Sequence, residues 1–323
     1  MKSIAVFTSG GDSPGMNACI RAVVRAGIYK GLSVIGIKNG FEGMIDGDFV
    51  EMKSASVSNI IQRGGTILKT SRSKRFMTYD GMKLAHEQLK KNNIDGVVAI
   101  GGEGTFKGAK EFYSHFKIPF VGIPGTIDND LYGSDYTIGY DTAVNTALEA
   151  IDKIRDTADS HHRLFFIEVM GKDAGFIALR SGIAGGAEAI LIPETKTDIS
   201  QLIKTLKEGW QRHKYSMIVV VAEGDEQGGA FEIAKKVKKK FTHYDTRVTI
   251  LGHLQRGGRP TCLDRVLASR LGVAAVEALL KGEKNIMVGI QHWNVTYTSF
   301  NKATKHHKDI NRELFNMVKI LAS

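Results

Sequence analysis

Short apolar runs alternate with amphipathic stretches along nearly the whole chain. This alternation is typical of parallel strands covered by helices on both sides of a sheet. The amphipathic stretches predict helices, for example over Asn17–Tyr29 and Cys262–Leu280. The apolar runs predict strands at Ile4–Thr8, Ser33–Ile37, Gly96–Ile100, Phe120–Ile123, Leu164–Met170, Ala189–Ile192, Met217–Ala222, Val248–Leu251 and Ile286–Ile290. The chain is therefore expected to adopt an α/β fold.

The first apolar run ends at Thr8 in a glycine-rich loop, which makes the run too short for a signal sequence or a membrane span. We interpret it as a buried first strand and expect no membrane partner. The two cysteines, Cys19 and Cys262, have no second cysteine or histidine nearby at metal-ligand spacing. Neither a disulfide framework nor a zinc site is indicated, and a reducing, cytoplasmic location fits this cysteine usage best.

The chain is basic, with 44 Lys and Arg residues against 34 Asp and Glu residues and a formal net charge of +10. This excess favours anionic partners such as nucleic acid, acidic lipid or small phosphorylated substrates. The densest basic run, KKVKKK at Lys235–Lys240, has no interleaved aromatic residues and no nucleic-acid motif. A solvated helix face explains the run better than a nucleic-acid patch, so we expect no nucleic-acid partner.

Glycine clusters follow several predicted strands directly. Gly10 and Gly11 follow the first strand, Gly101 and Gly102 follow the third, and Gly125 follows the fourth. The carboxyl edge of an open α/β sheet is where ligands bind, because loops and helix N-termini converge there. The sequence therefore predicts one phosphate-binding crevice built from three loops.

The first two loops have the composition of phosphate-binding turns. In Thr8–Asn17 (TSGGDSPGMN), small residues let backbone N–H groups approach phosphate oxygens, although a merely tight strand-to-helix turn is an alternative. In Gly101–Thr105 (GGEGT), Glu103 is a candidate ligand for Mg²⁺, which prefers carboxylate and phosphate oxygens. The alternative for Glu103 is a surface acid that caps a helix N-terminus. By itself the second loop indicates a nucleoside phosphate.

The third loop, PGTIDND at Pro124–Asp130, carries two acidic residues. Residues two apart share a face in an extended segment, so Asp128 and Asp130 are expected to project the same way. Two carboxylates beside a metal-phosphate site can divide the work of accepting a hydroxyl proton and organising metal or water. An Asx-turn is the alternative reading.

Basic residues suited to binding phosphate occur further along the chain. They are Arg72, Arg163, Arg247 and Arg256, the last with His253 three residues before it in LGHLQRGG at Leu251–Gly258. Arginine binds phosphate bidentately, which makes these side chains candidates for a sugar phosphate. Each arginine taken singly is more often a surface residue.

Taken together, these blocks resemble the bacterial ATP-dependent 6-phosphofructokinase family, from residue 3 to about residue 300. The matching blocks, in the family's order, are TSGGDSPGMN, RGGT at Arg63–Thr66, PGTIDND, IDKIRDT at Ile151–Thr157, IAGGAE at Ile183–Glu188, and LGHLQRGG. The resemblance implies two Rossmann-like three-layer α/β/α domains with mainly parallel sheets. It implies a larger ATP-binding domain of residues 1–139 plus about 255–305 and a smaller fructose 6-phosphate-binding domain of residues 140–254 plus about 306–323.

The resemblance also implies which residues form the nucleotide and sugar sites. The implied nucleotide positions are Gly11, Phe41, Arg72, Ser73, Gly102, Glu103, Gly104, Thr105 and Gly108. The implied sugar positions are Thr126, Asp128, Asp130, Arg163, Met170, Gly171, Lys172, Glu223, Arg247, His253 and Arg256. Within these sets Phe41 would flank the adenine, and Arg163 and Arg247 would reach in from a neighbouring subunit.

The implied reaction transfers the γ-phosphoryl group of MgATP to the 1-hydroxyl of fructose 6-phosphate. Asp128 is implied as the general base, with Asp130 beside it near Mg²⁺ and Thr126 bonded to the reacting groups. The remaining implied catalytic positions are Gly11, Arg72 and Lys172. The family resemblance also implies a homotetramer in the cytoplasm.

Several positions depart from the family's usual pattern. Glu103 stands where an aspartate is usual, and Lys172 stands where an arginine is usual. Both changes keep the charge, so we expect a working but slower enzyme. Pyrophosphate-dependent relatives carry an Asp and a Lys at the places of Gly104 and Gly125, and the small residues here favour ATP as the donor.

The resemblance implies an effector site for ADP or phosphoenolpyruvate. Its positions are Arg21, Arg25, Arg155, Gly186, Glu188, Arg212 and Lys214. Because Ser54, His213 and Tyr215 stand where basic residues are usual, we expect weakened allosteric control. Two alternatives to the whole reading are a catalytically weak regulatory paralogue and a lipid or NAD kinase that shares the glycine-acid-glycine loop.

Overall fold

The structure is a computed structural model that describes residues 1–306 and 308–321. The strands are β1 Ser3–Thr8, β2 Ser33–Ile37, β3 Phe49–Glu51, β4 Gly96–Gly101, β5 Phe120–Pro124, β6 Arg163–Val169, β7 Ala189–Leu191, β8 Met217–Ala222, β9 Asp245–Ile250, β10 Ile286–Gln291 and β11 Asn294–Ser299. The α-helices are α1 Met16–Tyr29, α2 Gly40–Asp46, α3 Tyr79–Lys91, α4 Glu103–Phe116, α5 Tyr140–Ser160, α6 Phe176–Ala184, α7 Ile199–Gln211, α8 Ala230–Lys238, α9 Cys262–Leu280, α10 Phe300–Lys305 and α11 Arg312–Leu321. Short 3-10 helices occupy Ser54–Val57, Arg75–Met77 and Gly252–Arg256.

The chain forms two compact units. The first unit comprises Met1–Ile127, Leu131–Thr142 and Arg256–Lys308. The second comprises Asp128–Asp130, Ala143–Gln255 and Asp309–Ser323. Each unit carries its own sheet, so the α/β architecture with mainly parallel sheets is confirmed.

The first unit is built on a seven-stranded sheet in the order β11-β10-β5-β4-β1-β2-β3. Its central strands pair in parallel, and only the β2–β3 and β10–β11 pairs at the edges are antiparallel. Alternate residues of β1 pack into two different hydrophobic clusters, one on each face of the sheet, because successive side chains of a strand point to opposite faces. Ile4 and Val6 pack with Val23 of α1, whereas Phe7 packs with Phe106 of α4. Helices therefore cover both faces of this sheet.

The second unit has a four-stranded sheet in the order β7-β8-β6-β9, paired in parallel throughout. Strand β8 (MIVVVA) is buried at every residue, as expected for a strand covered on both faces. On one face its Val219 and Val221 pack with Leu206 of α7 and Ile233 of α8. Strand β9 lies at the edge of the sheet, which explains its polar sequence.

Sequence patterning missed the two edge strands β3 and β11. β3 is only three residues long. β11 (NVTYTS) is polar and pairs antiparallel with β10 through a tight turn, in which His292 and Trp293 have φ of 48° and 64°. Edge strands that are short or polar resist unwanted pairing and carry a weak apolar signal. Strand β9 begins three residues earlier than predicted for the same reason, since Asp245 opens it.

The three glycine-rich loops leave the same edge of the first sheet. β4 lies between β1 and β5, and the three strands run parallel. The backbone N–H of Ser9 donates to the carbonyl of Ile100, and that of Gly125 donates to Gly101, so the loops are hydrogen-bonded to one another. The predicted convergence of the loops is therefore present within the first unit. Across the described residues, no helix is both long and apolar enough to cross a membrane.

Candidate active site

The loop after β1 lies against the side chain of Arg256. A Cβ atom at Gly11 would come within 2.6 Å of Arg256 Nη1, so the absence of a side chain at Gly11 is what admits the guanidinium group. Arg256 Nη1 also donates to the backbone carbonyl of Asp12 at 3.4 Å. The guanidinium group of Arg256 therefore lies beside the backbone of this loop. A cation next to exposed backbone suits the binding of a phosphate.

The RGGT segment at Arg63–Thr66 is held beside this loop by Asn17. The side-chain amide of Asn17 donates to the carbonyls of Arg63 and Gly64, and its oxygen accepts from the backbone N–H of Ile67 at 2.7 Å. A Cβ atom at Gly64 would lie 2.3 Å from the carbonyl oxygen of Gly258. The RGG segments at 63–65 and 256–258 therefore approach each other closely only because glycine occupies position 64.

The loop after β4 opens α4 with a run of small residues. A Cβ at Gly101 would lie 2.3 Å from Thr105 Oγ1 and 2.6 Å from the carbonyl oxygen of Ser9. Gly102 is the N-cap of α4 without a capping side chain. At Gly104 a Cβ would meet nothing within 4 Å. The surface of this loop at position 104 is therefore open to a ligand.

Glu103, the predicted metal ligand, is the first residue of α4 and forms an ion pair with Lys107 one turn later, at 2.5 Å. Its side chain is about one third exposed. Among the described residues no group of three or more His, Cys, Asp or Glu side chains is placed to hold a metal ion. One carboxylate near a phosphate loop fits Mg²⁺, which is commonly bound by one or two carboxylates together with substrate phosphates.

The other predicted nucleotide positions are Arg72, Ser73, Phe41 and Gly108. Arg72 is exposed, and the hydroxyl of Ser73 accepts from the N–H of Phe76, where it caps the 3-10 helix. Phe41 is only 7% exposed and stacks on Phe76 at a centroid distance of 3.9 Å. A Cβ at Gly108 would come within 3.1 Å of the Phe41 ring. Phe41 thus belongs to the core of the first unit.

The PGTIDND loop departs from the expected extended conformation. Asn129 lies in the left-handed region with φ of 55°, and the chain bends at Ile127 and Asp128. The expected extended conformation of this loop is therefore wrong, because asparagine tolerates left-handed φ and breaks the period of two. Asn129 is buried, whereas Asp128 and Asp130 are half-buried. Oδ1 of Asp128 is shielded from solvent.

The predicted catalytic lysine sits in a strained turn after β6. Gly171 and Lys172 both have positive φ, of 146° and 54°. The carboxylate of Glu223 accepts from the N–H of Lys172 at 2.7 Å and from that of Gly171 at 3.3 Å. A Cβ at Gly224 would lie 2.0 Å from the carbonyl oxygen of Lys172. Glu223 and Gly224 therefore fix this turn, and the Lys172 ammonium reaches Asp173 at 3.1 Å.

Met170 and the 3-10 helix Gly252–Arg256 are joined by a buried amide. The N–H of Met170 donates to Gln255 Oε1 at 3.3 Å, and the amide nitrogen of Gln255 donates to the carbonyl of Gly252. Gln255 is fully buried, whereas His253 on the same short helix is exposed. The buried amide anchors the segment and leaves the histidine available to a ligand.

Arg163 and Arg247 lie side by side in the second unit. Arg163 opens β6, and Arg247 lies on the neighbouring strand β9. Both guanidinium groups contact the carboxylate of Asp245. The structure therefore brings together two arginines that are 84 positions apart in the chain, as a candidate phosphate cradle.

Some predicted effector residues also cluster in the second unit. Arg155 donates to the carbonyls of Gly185 and Gly186, and Lys214 lies 3.8 Å from Glu188. Burial raises the pKa of the Glu188 carboxyl, although the N–H of Ile218 and the charges of Arg155 and Lys214 act against this rise. Arg212 is exposed after α7. Arg21 and Arg25 lie one turn apart on α1 of the first unit.

Sequence reasoning missed the residues that hold these loops in place, namely Asn17, Gln255 and Asp245. Two of them stand inside blocks that were recognised, TSGGDSPGMN and LGHLQRGG, so their presence in those blocks was the available signal. Asp245 carries only a weak signal, an acid two residues before an arginine in a polar strand.

Mainly parallel sheets, with glycine-rich loops and Arg256 at the carboxyl edge of the first sheet, are typical of α/β proteins that bind phosphorylated ligands. The family model described as Phosphofructokinase matches residues 3–279. The chain therefore belongs to the phosphofructokinase family.

Curated relatives match the chain over its whole length. It is 56% identical to ATP-dependent 6-phosphofructokinase 2 of Bacteroides thetaiotaomicron, over 100% of this chain and 99% of the relative. It is 58% identical to ATP-dependent 6-phosphofructokinase of Cytophaga hutchinsonii, over 99% and 98% of the two chains. It is 56% identical to ATP-dependent 6-phosphofructokinase 1 of Thermus thermophilus, over 100% of both.

Solved structures show the same fold. Phosphofructokinase from Saccharomyces cerevisiae matches with a TM-score of 0.87 and 37% identity, over 94% of this chain and 45% of the yeast chain. This chain thus spans less than half of the yeast chain. A pyrophosphate-dependent phosphofructokinase from Marinobacter aquaeolei matches with a TM-score of 0.85, over 98% of this chain and 91% of that chain. At 22% identity the second likeness shows the fold alone.

Proposed function

We propose that the chain is an ATP-dependent 6-phosphofructokinase, which transfers the γ-phosphoryl group of ATP to the 1-hydroxyl of fructose 6-phosphate. The observation that carries this proposal is the identity of 56 to 58% over the whole length with bacterial chains of that name. The first unit binds the nucleotide on the glycine-rich loops after β1 and β4. The second unit binds the sugar phosphate.

Asp128 acts as the general base and takes the proton of the 1-hydroxyl as the hydroxyl oxygen attacks the γ-phosphorus. A half-buried carboxylate with one oxygen shielded from solvent suits this role, because little water competes for the proton. Thr126, with a buried side chain beside Gly102, orients the reacting groups. Asp130 follows Asp128 by two residues and organises water or metal at the same loop.

Cations stabilise the charge that spreads over the equatorial oxygens of the transferring phosphoryl group. Arg72 is exposed, and Gly11 lets the guanidinium group of Arg256 lie against the backbone of the loop after β1. Lys172 is fixed at its backbone by Glu223, so its ammonium group is presented from a defined position. Lysine supplies a point charge where a planar guanidinium is usual, which predicts slower turnover.

The sugar is held by Met170, Gly171, Glu223, His253 and Arg256. Arg163 and Arg247 bind the 6-phosphate of a neighbouring subunit's sugar, which requires an oligomer, and we propose a homotetramer. The half-buried Arg155 and the buried Glu188 support an effector site for ADP or phosphoenolpyruvate. We place the enzyme in the cytoplasm, in keeping with the free cysteines Cys19 and Cys262.

The donor is ATP rather than pyrophosphate. At Gly104 a side chain would extend into open space, where a nucleotide has room. At Gly125 a Cβ would lie 2.9 Å from Ile100 and 3.2 Å from Met16, so the sheet core leaves no room for a larger residue. Gly104 thus supports a nucleotide site without a side chain that crowds the α-phosphate, whereas Gly125 is required by the packing of the sheet core.

Mg²⁺ is the metal that the donor set fits. Glu103 would hold it together with phosphate oxygens of ATP, and the ion would neutralise charge on the β- and γ-phosphates. Release of Glu103 from Lys107 is inexpensive, because ion pairs of this exposure and spacing contribute about 0.5 kcal/mol or less.

A coupled assay with fructose 6-phosphate and Mg²⁺ tests this proposal, with ATP in one cell and pyrophosphate in another. We expect turnover with ATP and none with pyrophosphate. Turnover with pyrophosphate alone would overturn the donor assignment. Binding of fructose 6-phosphate without turnover on either donor would favour a regulatory paralogue, for which the Glu103–Lys107 pair is the supporting observation.

A further inference from the structure

Asp245 lies between two arginines on one face of the second sheet. Asp245 and Arg163 are register partners across the parallel β6–β9 pair. Arg247 follows Asp245 by two residues on β9, and residues two apart in a strand share a face. The three side chains are therefore neighbours because of the sheet register.

The carboxylate contacts both guanidinium groups through a single oxygen. Asp245 Oδ2 accepts from Arg163 Nε at 3.3 Å and from Arg247 Nε at 3.0 Å, with Arg247 Nη2 at 2.7 Å. A guanidinium group carries five N–H donors in a planar fork. The contact with Asp245 uses the Nε of Arg163 and the Nε and Nη2 of Arg247, which is at most three of the ten N–H donors of the two forks, so donors of both forks are left over for a ligand.

The charges of the cluster favour a bound anion. Two guanidinium groups on one face repel each other, and a carboxylate between them offsets this repulsion while the cluster keeps a net charge of one cation. Desolvation raises the pKa of Asp245, but the hydrogen bonds and charges of Arg247 and Arg163 outweigh it, so the pKa is lowered overall. Asp245 is therefore ionised throughout the neutral pH range.

The cluster is also accessible. The side chains of Arg163, Asp245 and Arg247 are 25%, 47% and 54% exposed. A flexible arginine loses rotamer freedom when it binds a ligand, and fixing its fork beforehand removes part of that loss.

We propose that Asp245 is a positioning residue for the sugar phosphate, which fixes Arg163 and Arg247 as a matched pair of donors without contacting the ligand itself. This inference rests on the proposed function, in which the two arginines bind the 6-phosphate of fructose 6-phosphate. The opposite role would be competition, in which the carboxylate occupies the arginines and must leave before phosphate binds.

The two roles predict opposite changes in the KM for fructose 6-phosphate. For Asp245→Asn and Asp245→Ala we expect the KM to rise about tenfold, since two long side chains must then be ordered by the ligand alone. The kcat and the KM for ATP should stay near the wild-type values. Asp245→Glu, which keeps the charge, should restore most of the affinity. Glu208→Gln, an exposed acid on α7, is the matched control and should change nothing.

Each result has one meaning. A lower KM for fructose 6-phosphate in Asp245→Asn would overturn positioning in favour of competition. An unchanged KM, or an equal loss of kcat and of the affinity for both substrates together with a lower Tm, would also overturn it. If the wild-type and Glu208→Gln proteins are both folded but neither phosphorylates fructose 6-phosphate, the proposed function fails. This inference then falls with it.

Discussion

At the scale of single residues, neighbouring groups hold the Lys172 backbone in a conformation that is uncommon for lysine. Lys172 has φ of 54°, which a lysine adopts only under constraint. The constraint comes from the Glu223 carboxylate and from the close approach of Gly224. Backbone strain of this kind concentrates at functional sites, where it presents a side chain in one place.

Replacing Lys172 tests whether its charge acts on the transferring phosphoryl group. Lys172→Ala should lower kcat about 10²- to 10³-fold, as expected for loss of one preorganised charge in the transition state. Lys172→Arg should raise kcat, because a planar fork binds phosphoryl oxygens bidentately. Asp173→Ala is the control, since it removes the ion pair of Lys172 and keeps the lysine. Steady-state kinetics in which Lys172→Arg equals the wild type would show that the substitution does not limit the rate.

Gly104 offers a second test at the residue scale. Gly104→Asp should leave Tm unchanged, because the new side chain enters open space. It should lower kcat/KM for ATP about 10²-fold or more, since like charges placed together cost several kcal/mol. Gly104→Asn, of equal size and no charge, separates crowding from repulsion. Equal ATP kinetics in Gly104→Asp and the wild type would place the nucleotide elsewhere.

At the scale of elements, Asp264 joins the first turns of two helices. It lies in the first turn of α9 and is fully buried. Its Oδ1 accepts from the N–H of Gly139, and its Oδ2 accepts from the N–H and the hydroxyl of Thr142 at the start of α5. Asp141 and Thr261 add a hydrogen bond between the same two helix starts.

The pKa of Asp264 predicts a dependence of stability on pH. Burial raises this pKa from 3.8 to about 6, in spite of the opposing hydrogen bonds from Thr142 and Gly139. The folded state therefore binds this proton more tightly than the unfolded state, and the resulting stability is fully present below pH 3.8 and is lost as the pH rises through about 6. A shift of two units corresponds to about 3 kcal/mol.

Comparison with Asp264→Asn isolates this effect, because the amide does not titrate. The variant should be less stable at every pH, since the buried N–H of Thr142 loses a carboxylate acceptor. Chemical unfolding at fixed protein concentration should show that the advantage of the wild type shrinks between pH 4 and pH 7. Parallel stability curves for the two proteins over that range would contradict the raised pKa.

The elements also show how far sequence alone can reach. Buried strands such as β8 are continuous apolar runs and were predicted almost to the residue, whereas the polar edge strand β11 was not. The loops of the site were found because glycine must follow strands where backbones approach ligands. The residues that fix those loops were not found, because their partners are remote in sequence: Asn17 is 46 positions from Arg63, and Gln255 is 85 positions from Met170. The turn in the PGTIDND loop was given only as an alternative to an extended segment, because it depends on one residue, Asn129, in left-handed φ.

At the scale of the whole molecule, the proposed site needs arginines from a second subunit. Mixed oligomers test this requirement. Asp128→Asn and Arg247→Ala proteins should each be nearly inactive alone, because every site lacks one essential side chain. The two variants are then mixed in equal amounts, unfolded together and reassembled. About a quarter of the sites should receive an intact Asp128 from one subunit and an intact Arg247 from its neighbour. Activity that stays at the level of the separate variants would show that each chain completes its own site.

One kinetic comparison shows whether Asp128 is the base in phosphorylation of fructose 6-phosphate by ATP. Asp128→Asn, wild type and the exposed-acid control Asp80→Asn are assayed with fructose 6-phosphate and MgATP. We expect Asp128→Asn to lower kcat about 10²- to 10⁴-fold, with sugar binding retained and the control unaffected. A kcat for Asp128→Asn within tenfold of the wild type would contradict the role of Asp128 as the base.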